Sequence, residues 1–300
     1  MTTTLPMGHY SIKQLEQLSG IKAHTIRIWE QRYNLLVPQR TETNIRFYDD
    51  QQLKKLLNIS VLLNQGHKIS KLSKLDQGSI SELITDKLIN TVSDDGIEAV
   101  INELIISMLD YNEESFDRLF SDSIMRRGFQ DTIVHVIYPF LTRVGFMWPI
   151  NDVSPSQEHF MSNLIRHKLI VAINTLNFKQ TQEDVAILFL PEGELHEMAL
   201  LMAFYMLKSM NIKVIYLGQN VPFNEVIETY NYCSATILLC FITSDATSGK
   251  SNQEFLNDYS SHFKKARRYV SGRKELFDAI QMPNNVKKLS GIADVASMIQ

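Results

Sequence analysis

A single histidine sits where metal chemistry would need it. His196 lies between two carboxylates in Glu194-Leu195-His196-Glu197, soon after the apolar run VAILFL at 185–190. Neutral imidazole is a good ligand for a transition metal, and a neighbouring carboxylate can fix its tautomer and orientation. Read plainly, the same residues are a solvated loop, and that alternative stays open. Glu158-His159 follows Trp148 after nine intervening residues and opens a helical stretch, where a carboxylate suits the helix dipole. Trp148 on its own reads as a core aromatic. Near the start, Arg27, Arg32, Arg40 and Arg46 crowd into twenty residues among Trp29, Tyr33 and Tyr48. Short polar and arginine side chains on one helix can reach base edges, while cations on flanking elements neutralise phosphates.

These residues need elements to position them. Ser11 is a candidate N-cap, and Ile12, Leu15 and Leu18 share one helical face up to Ser19-Gly20. A second helix is expected over 22–33, with Ile26, Trp29 and Tyr33 inward and His24, Thr25, Arg27 and Arg32 outward. Pro38 stops it, and 39–48 carries Arg40, Arg46 and Tyr48 around the polar tip TETN. Residues 51–63 are helical again. Residues 1–75 are expected to fold alone around Ile12, Leu15, Ile26, Trp29, Leu53 and Leu57.

From 76 to about 180 the periodicity is helical throughout, a bundle whose run Ile133 to Val144 should be central. Beyond it VAILFL, KVIYL, ATILLCFI and RYVS alternate with helical stretches, and KKLS at 287–290 adds a fifth strand. Short, β-branched apolar runs of this kind are parallel strands buried on both faces. The expected fold is therefore multi-domain α/β. A winged helix-turn-helix (1–75) precedes a helical bundle (76–180) and a doubly wound, flavodoxin-like parallel sheet (181–300).

Composition narrows the functions. Residues 1–75 hold eleven Lys and Arg against five Asp and Glu, whereas 76–300 hold nineteen against twenty-eight. A basic head on an acidic body suits a polyanion met by the head alone. Two cysteines provide neither a disulfide framework nor a cysteine zinc site. The longest apolar run falls far short of the ~20 residues that span a bilayer, and MTTTLPMGHY is no signal peptide, so a cytoplasmic location is expected. Walker loop, zincin motif, nucleophile elbow and dinucleotide fingerprint are all missing, which argues against an enzyme.

The string YSIKQLEQLSGIKAHTIRIWEQRYNLLVPQR, followed by RFY, resembles the MerR-type winged helix-turn-helix over about residues 9–75. The resemblance implies double-stranded operator DNA as partner, with 22–33 in the major groove and 39–48 as the wing. It assigns contacts to His24, Thr25, Arg27, Arg32, Tyr33, Arg40, Arg46 and Tyr48, with Trp29 and Leu36 left in the core. The stretch YPFLTRVGFMWPINDVSPSQEHF resembles the lid bundle of the cobalamin-dependent light-sensing repressors within that family. There Trp148, Glu158 and His159 would face the upper side of adenosylcobalamin. Glu194 to Glu197 resembles the segment giving those repressors their lower axial ligand, which makes His196 the cobalt ligand. The turn LGQNVP at 217–222 also fits the cobalamin-binding fold.

The chain departs from that pattern in places. Ala199 stands where the family has glycine, and Leu239-Cys240-Phe241-Ile242 replaces a serine-bearing segment, with Thr243 or Ser244 as substitutes. Ser271-Gly272 replaces a glycine pair at the cofactor tail. The reading is a homo-oligomeric regulator, a repressor controlled by adenosylcobalamin and light. One alternative is a regulator whose sensor has lost the cofactor and answers to a protein antagonist. The other is a corrinoid enzyme.

Overall fold

The computed structural model describes residues 9–64, 66–76, 79–80, 83, 94–145, 155–181, 183–244 and 251–299. Trp148 lies outside them. Two compact units divide the chain, Met1–Asn163 and Leu164–Gln300. This division differs from the breaks expected at 75 and 180. The helix Pro155–Thr175 runs through it.

In the first unit, α1 (Ile12–Ser19) begins in a capping box between Ser11 and Gln14. It ends at Gly20, whose φ of 71° is the left-handed conformation that glycine adopts without strain. The next helix, α2 (Ala23–Tyr33), stops at Asn34, again left-handed. A two-stranded hairpin follows, β1 (Gln39–Arg40) against β2 (Arg46–Phe47), with Gln39 opposite Phe47 and Arg40 opposite Arg46. Tyr10 and Tyr48 bridge through both backbone hydrogen bonds, at 2.8 and 2.9 Å, and so clip the start of the chain to the hairpin's exit.

The long helix α3 (Asp50–Asn64) is buried nearly all round, from Leu53 through Leu62. One side completes the core of Leu15, Leu18, Ile26 and Trp29. The other packs on α5 (Asp94–Leu109), which follows the short α4 (Ile69–Leu72). There the Asn102 amide donates to Ser60 at 3.1 Å, and Lys54 is ion-paired with Asp110. Arg143 ties in a further helix by donating to Asn102 at 3.0 Å and pairing with Glu98 at 2.7 Å.

That packing bears on whether residues 1–75 fold alone. Cutting there strips α5 from α3 and leaves Lys54, Ser60 and apolar neighbours exposed. We expect residues 1–145 to melt cooperatively, and residues 1–75 to melt at least ~10 °C lower, since ~2 kcal/mol shifts so small a domain by that much. Equal melting temperatures in circular dichroism would show that α5 adds nothing to the head.

The bundle continues through α6 (Glu113–Arg127) and α7 (Phe129–Thr132) into a π-helical turn at Ile133–Ile137, then α8 (Tyr138–Gly145). Pro139 explains the wide turn. Its ring crowds the preceding turn and it has no N–H, so Tyr138 N–H reaches back five residues to the Ile133 carbonyl. Ile133, Val136, Ile137, Phe140 and Val144 are buried, as expected of a central run.

The second unit holds the end of α9 (Pro155–Thr175) and a five-stranded sheet. Its strands are β3 (Val185–Pro191), β4 (Lys213–Val221), β5 (Ile237–Ile242), β6 (Arg267–Gly272) and β7 (Val286–Lys288). All pairings are parallel, in the order β4-β3-β5-β6-β7. The first strand thus lies between the second and third, and the chain's winding direction reverses between β3 and β5. One sheet face packs Ile187, Phe189, Leu238, Cys240, Ile242 and Val270 against Tyr259 and Phe263. The pleat sends Leu188, Leu239, Phe241 and Ser271 to the other face, which α10 (Met198–Ser209) covers. Burial on both faces is why these strands read as unbroken apolar runs. Among the described residues, no helix is long and apolar enough to cross a membrane.

Candidate functional site

The head presents its cations much as the sequence suggested. His24, Arg27, Arg32 and Arg40 are exposed, and Thr25, Tyr33 and Arg46 are partly so. The Arg32 guanidinium lies 5.5 Å from the centre of the Tyr33 ring. On the hairpin, Arg40 donates to Asn44 at 2.6 Å, while Arg46 lies 3.6 Å from Glu30. Tyr48 requires a correction. Its side chain is fully buried and its phenol donates to Glu30, so it braces the wing from within rather than touching DNA. Burial, then the Glu30 hydrogen bond, push that phenol's pKa far above its usual value. Trp29 and Leu36 are core residues, as expected.

The second site lies at the carboxyl edge of the parallel sheet, where the winding direction reverses between β3 and β5. Open α/β sheets bind ligands at such a point, because the loops diverge there. Glu194 is buried between these two loops and accepts six hydrogen bonds. Its Oε1 takes the Leu195 and His196 amides at 3.0 and 3.1 Å and His196 Nδ1 at 2.5 Å. Its Oε2 takes the Thr243 and Ser244 amides at 2.8 and 2.9 Å and the Ser244 hydroxyl at 2.9 Å. Burial alone would raise its pKa. The hydrogen bonds from His196 and Thr243 outweigh that and hold the carboxyl well below the usual carboxylate range.

A carboxylate on Nδ1 keeps the proton on that nitrogen and leaves Nε2 as the atom with a lone pair to give. The imidazole side chain is 61% exposed. Nearby, Gly193 N–H donates to the Asn220 side chain at 2.7 Å, and Asn220 N–H donates to the Glu194 carbonyl at 3.1 Å. The LGQNVP turn therefore clamps the histidine loop from the β4 side.

Sequence reasoning missed a network one residue further on. Glu197 accepts from the Tyr216 phenol at 2.7 Å and pairs with Arg166 at 2.6 Å. Tyr216 stacks on Phe204 with ring centres 4.9 Å apart. Arg166 belongs to α9 and Tyr216 to β4, so no local spacing could have signalled the pairing. Glu158 and His159 are themselves paired, His159 Nδ1 lying 3.0 Å from Glu158 Oε2.

The remaining candidates differ in what they leave available. Thr243 Oγ1 is buried without a hydrogen-bond partner among the described residues, a polar atom that a ligand group could satisfy. The Ser271 hydroxyl donates to the Leu289 carbonyl at 3.2 Å. Gly272, at a φ of 152°, is held by its neighbour: a Cβ there would lie 1.8 Å from the Ile242 carbonyl oxygen. Its missing side chain serves the β5–β6 contact, and Phe241 is fully buried beside Ser271. Among the described residues, no three His, Cys, Asp or Glu side chains cluster to hold an ion. The donor set is one oriented imidazole, which would suit a metal that a macrocycle already holds.

Residues 10–79 match the MerR HTH family regulatory proteins, and residues 80–172 match a B12 binding domain. The chain is 27% identical over 220 residues to the HTH-type transcriptional repressor CarH of Myxococcus xanthus, covering 72% of this chain and 73% of that protein. It is 24% identical over 213 residues to the repressor CarA of the same organism, covering 70% and 68%. Among solved structures, the monomethylamine corrinoid protein of Methanosarcina barkeri superposes with a TM-score of 0.52 at 14% identity, over 67% of this chain and 96% of that one. That likeness concerns fold alone. With a match to the MerR HTH regulators in front and a match to a B12 binding domain behind, the chain is similar to transcriptional repressors of the CarH type rather than to enzymes.

Proposed function

We propose that this regulator is a cytoplasmic repressor whose grip on operator DNA is controlled by adenosylcobalamin and by light. The observation that carries the reading is His196, oriented by a buried carboxylate at the sheet's winding reversal. In this reading His196 would hold the cobalt of the bound group through Nε2, with Glu194 keeping the proton on Nδ1. Thr243 offers its unsatisfied hydroxyl beside them. Trp148, Glu158 and His159 would also help to hold the group. When bound, adenosylcobalamin supplies a cobalt–carbon bond that light can break. A ligand regulates only through different free energies in two states, and one head binds DNA weakly. Association of several heads in the dark form therefore supplies the affinity. The test is gel filtration after incubation with adenosylcobalamin in the dark, followed by operator binding before and after illumination. Co-eluting colour and light-sensitive binding support the reading, and a colourless protein sinks the cofactor part of it.

A second reading has its own support. Ser271, Gly272 and Phe241 are all engaged within the fold, and Ala199 carries a side chain. They favour a sensor without cofactor that answers to a protein antagonist. The same colourless protein, still binding operator, would establish it.

The hairpin gives an expected result for DNA. Arg40→Ala should flatten the slope of log affinity against log salt by ~0.9, the share of one phosphate contact, on specific and random duplexes alike. Arg46→Ala should do the same and also lower the melting temperature slightly, because Arg46 pairs with Glu30 under the wing. Unchanged slopes in both variants would remove the hairpin from the interface.

A further inference from the structure

The outward arc of α2 contains one residue out of keeping with its neighbours. At 100° per residue, Arg27, Gln31, His24, Ile28 and Arg32 follow one another around the side opposite Ile26 and Trp29. Ile26 and Trp29 are buried, whereas Ile28 is 49% exposed. It stands between His24 and Arg32 on that arc, with Arg27 at the arc's far end. A lone exposed isoleucine is ordinary on a protein surface. This one lies beside Arg32 on a face that also carries Arg27, on the helix whose neighbours Arg40 and Arg46 extend the same positive charge along the hairpin. A protein partner with an apolar patch would have to bury those arginines too. A polyanion neutralises them.

On a DNA duplex, the apolar feature of the major-groove base edges is the thymine C5 methyl. We propose that Ile28 is a specificity-determining residue that packs against a thymine methyl in the major groove, selecting one T·A pair in each half-site. The proposal rests on the reading of the head as a DNA-binding module. Arg27 and Arg32 sit on either side of that contact, available to phosphates or guanine edges. Ile28 then contributes selectivity where arginines alone would contribute mainly affinity.

The test uses the full-length protein and a random-sequence DNA duplex library, selected in the dark with and without adenosylcobalamin. The enriched site is resynthesised with deoxyuridine in place of each thymine in turn, which deletes one methyl and nothing else. The expected result is a loss of about four-fold at one thymine per half-site, the worth of one buried methyl. Ile28→Ala should bind the thymine and uracil duplexes equally, with its melting temperature unchanged because the side chain is exposed. Wild-type protein indifferent to every methyl would overturn the proposal, as would Ile28→Ala that keeps the same thymine preference. Failure to enrich any duplex would instead overturn the DNA-binding reading, and the Ile28 proposal with it.

Discussion

Glu194→Ala should destabilise the second unit by ~1–3 kcal/mol, the usual cost of leaving hydrogen-bond donors without their acceptor. The carboxylate accepts from the Leu195, His196, Thr243 and Ser244 amides, from the Ser244 hydroxyl and from His196 Nδ1. Without it, the half-buried Thr243 and Ser244 amides lose their acceptor. Glu194→Gln tests charge apart from shape, since its NH2 group must face N–H donors on one side. The native carboxyl titrates below the unfolded value of ~4.3 because its hydrogen bonds favour the ionised form. Its contribution is therefore complete above that pH and declines as pH falls through the lower folded value. Wild-type protein should lose stability below about pH 4 faster than Glu194→Gln. Urea titrations of the three proteins from pH 7 to pH 3 decide the matter, and a variant as stable as wild type would show that the cluster is incidental.

What the sequence discloses here depends on the range of the interaction. The helix ends at Ser11 and Gly20 were legible because capping is a local bargain between residues three or four apart. Strands such as ATILLCFI were legible because both faces are buried and no polar residue interrupts them. The order of the strands was open to inference through the fold class, since alternating strand and helix allow few windings. Long-range pairings were not legible. Glu194 could be read as a partner for His196 two residues on, but its bonds to Thr243 and Ser244 reach the loop after the neighbouring strand, 49 and 50 residues along the chain. Tyr48 looked like a wing surface residue because it follows Arg46, and only the fold brings Glu30 beneath its phenol. Gly272 looked like room for a ligand, and the structure shows room taken by the Ile242 carbonyl. In each case the residue type was informative and its partner lay too far along the chain to name.

The same distinction separates the two readings of the sensor, and His196 is where they part. His196→Ala removes the nitrogen while leaving the Glu194 clasp on Thr243 and Ser244 in place. If the imidazole is the axial ligand, the variant should retain corrinoid more than ~100-fold less well than wild type, beyond the ~10–100-fold expected when only the orienting partner is lost, as in Glu194→Gln. Its melting temperature without ligand should stay near that of wild type, because the ring is mostly exposed. Trp148→Ala should leave the axial bond intact and act on the adenosyl side, so that retention of adenosylcobalamin drops more than retention of a corrinoid with a small upper ligand. His159→Ala should keep dark binding and change the spectrum only after illumination. Equilibrium dialysis and visible spectra, in darkness and after light, separate these outcomes. Retention by His196→Ala equal to wild type would return the histidine to a solvated loop and leave the B12-binding domain to act through protein contacts.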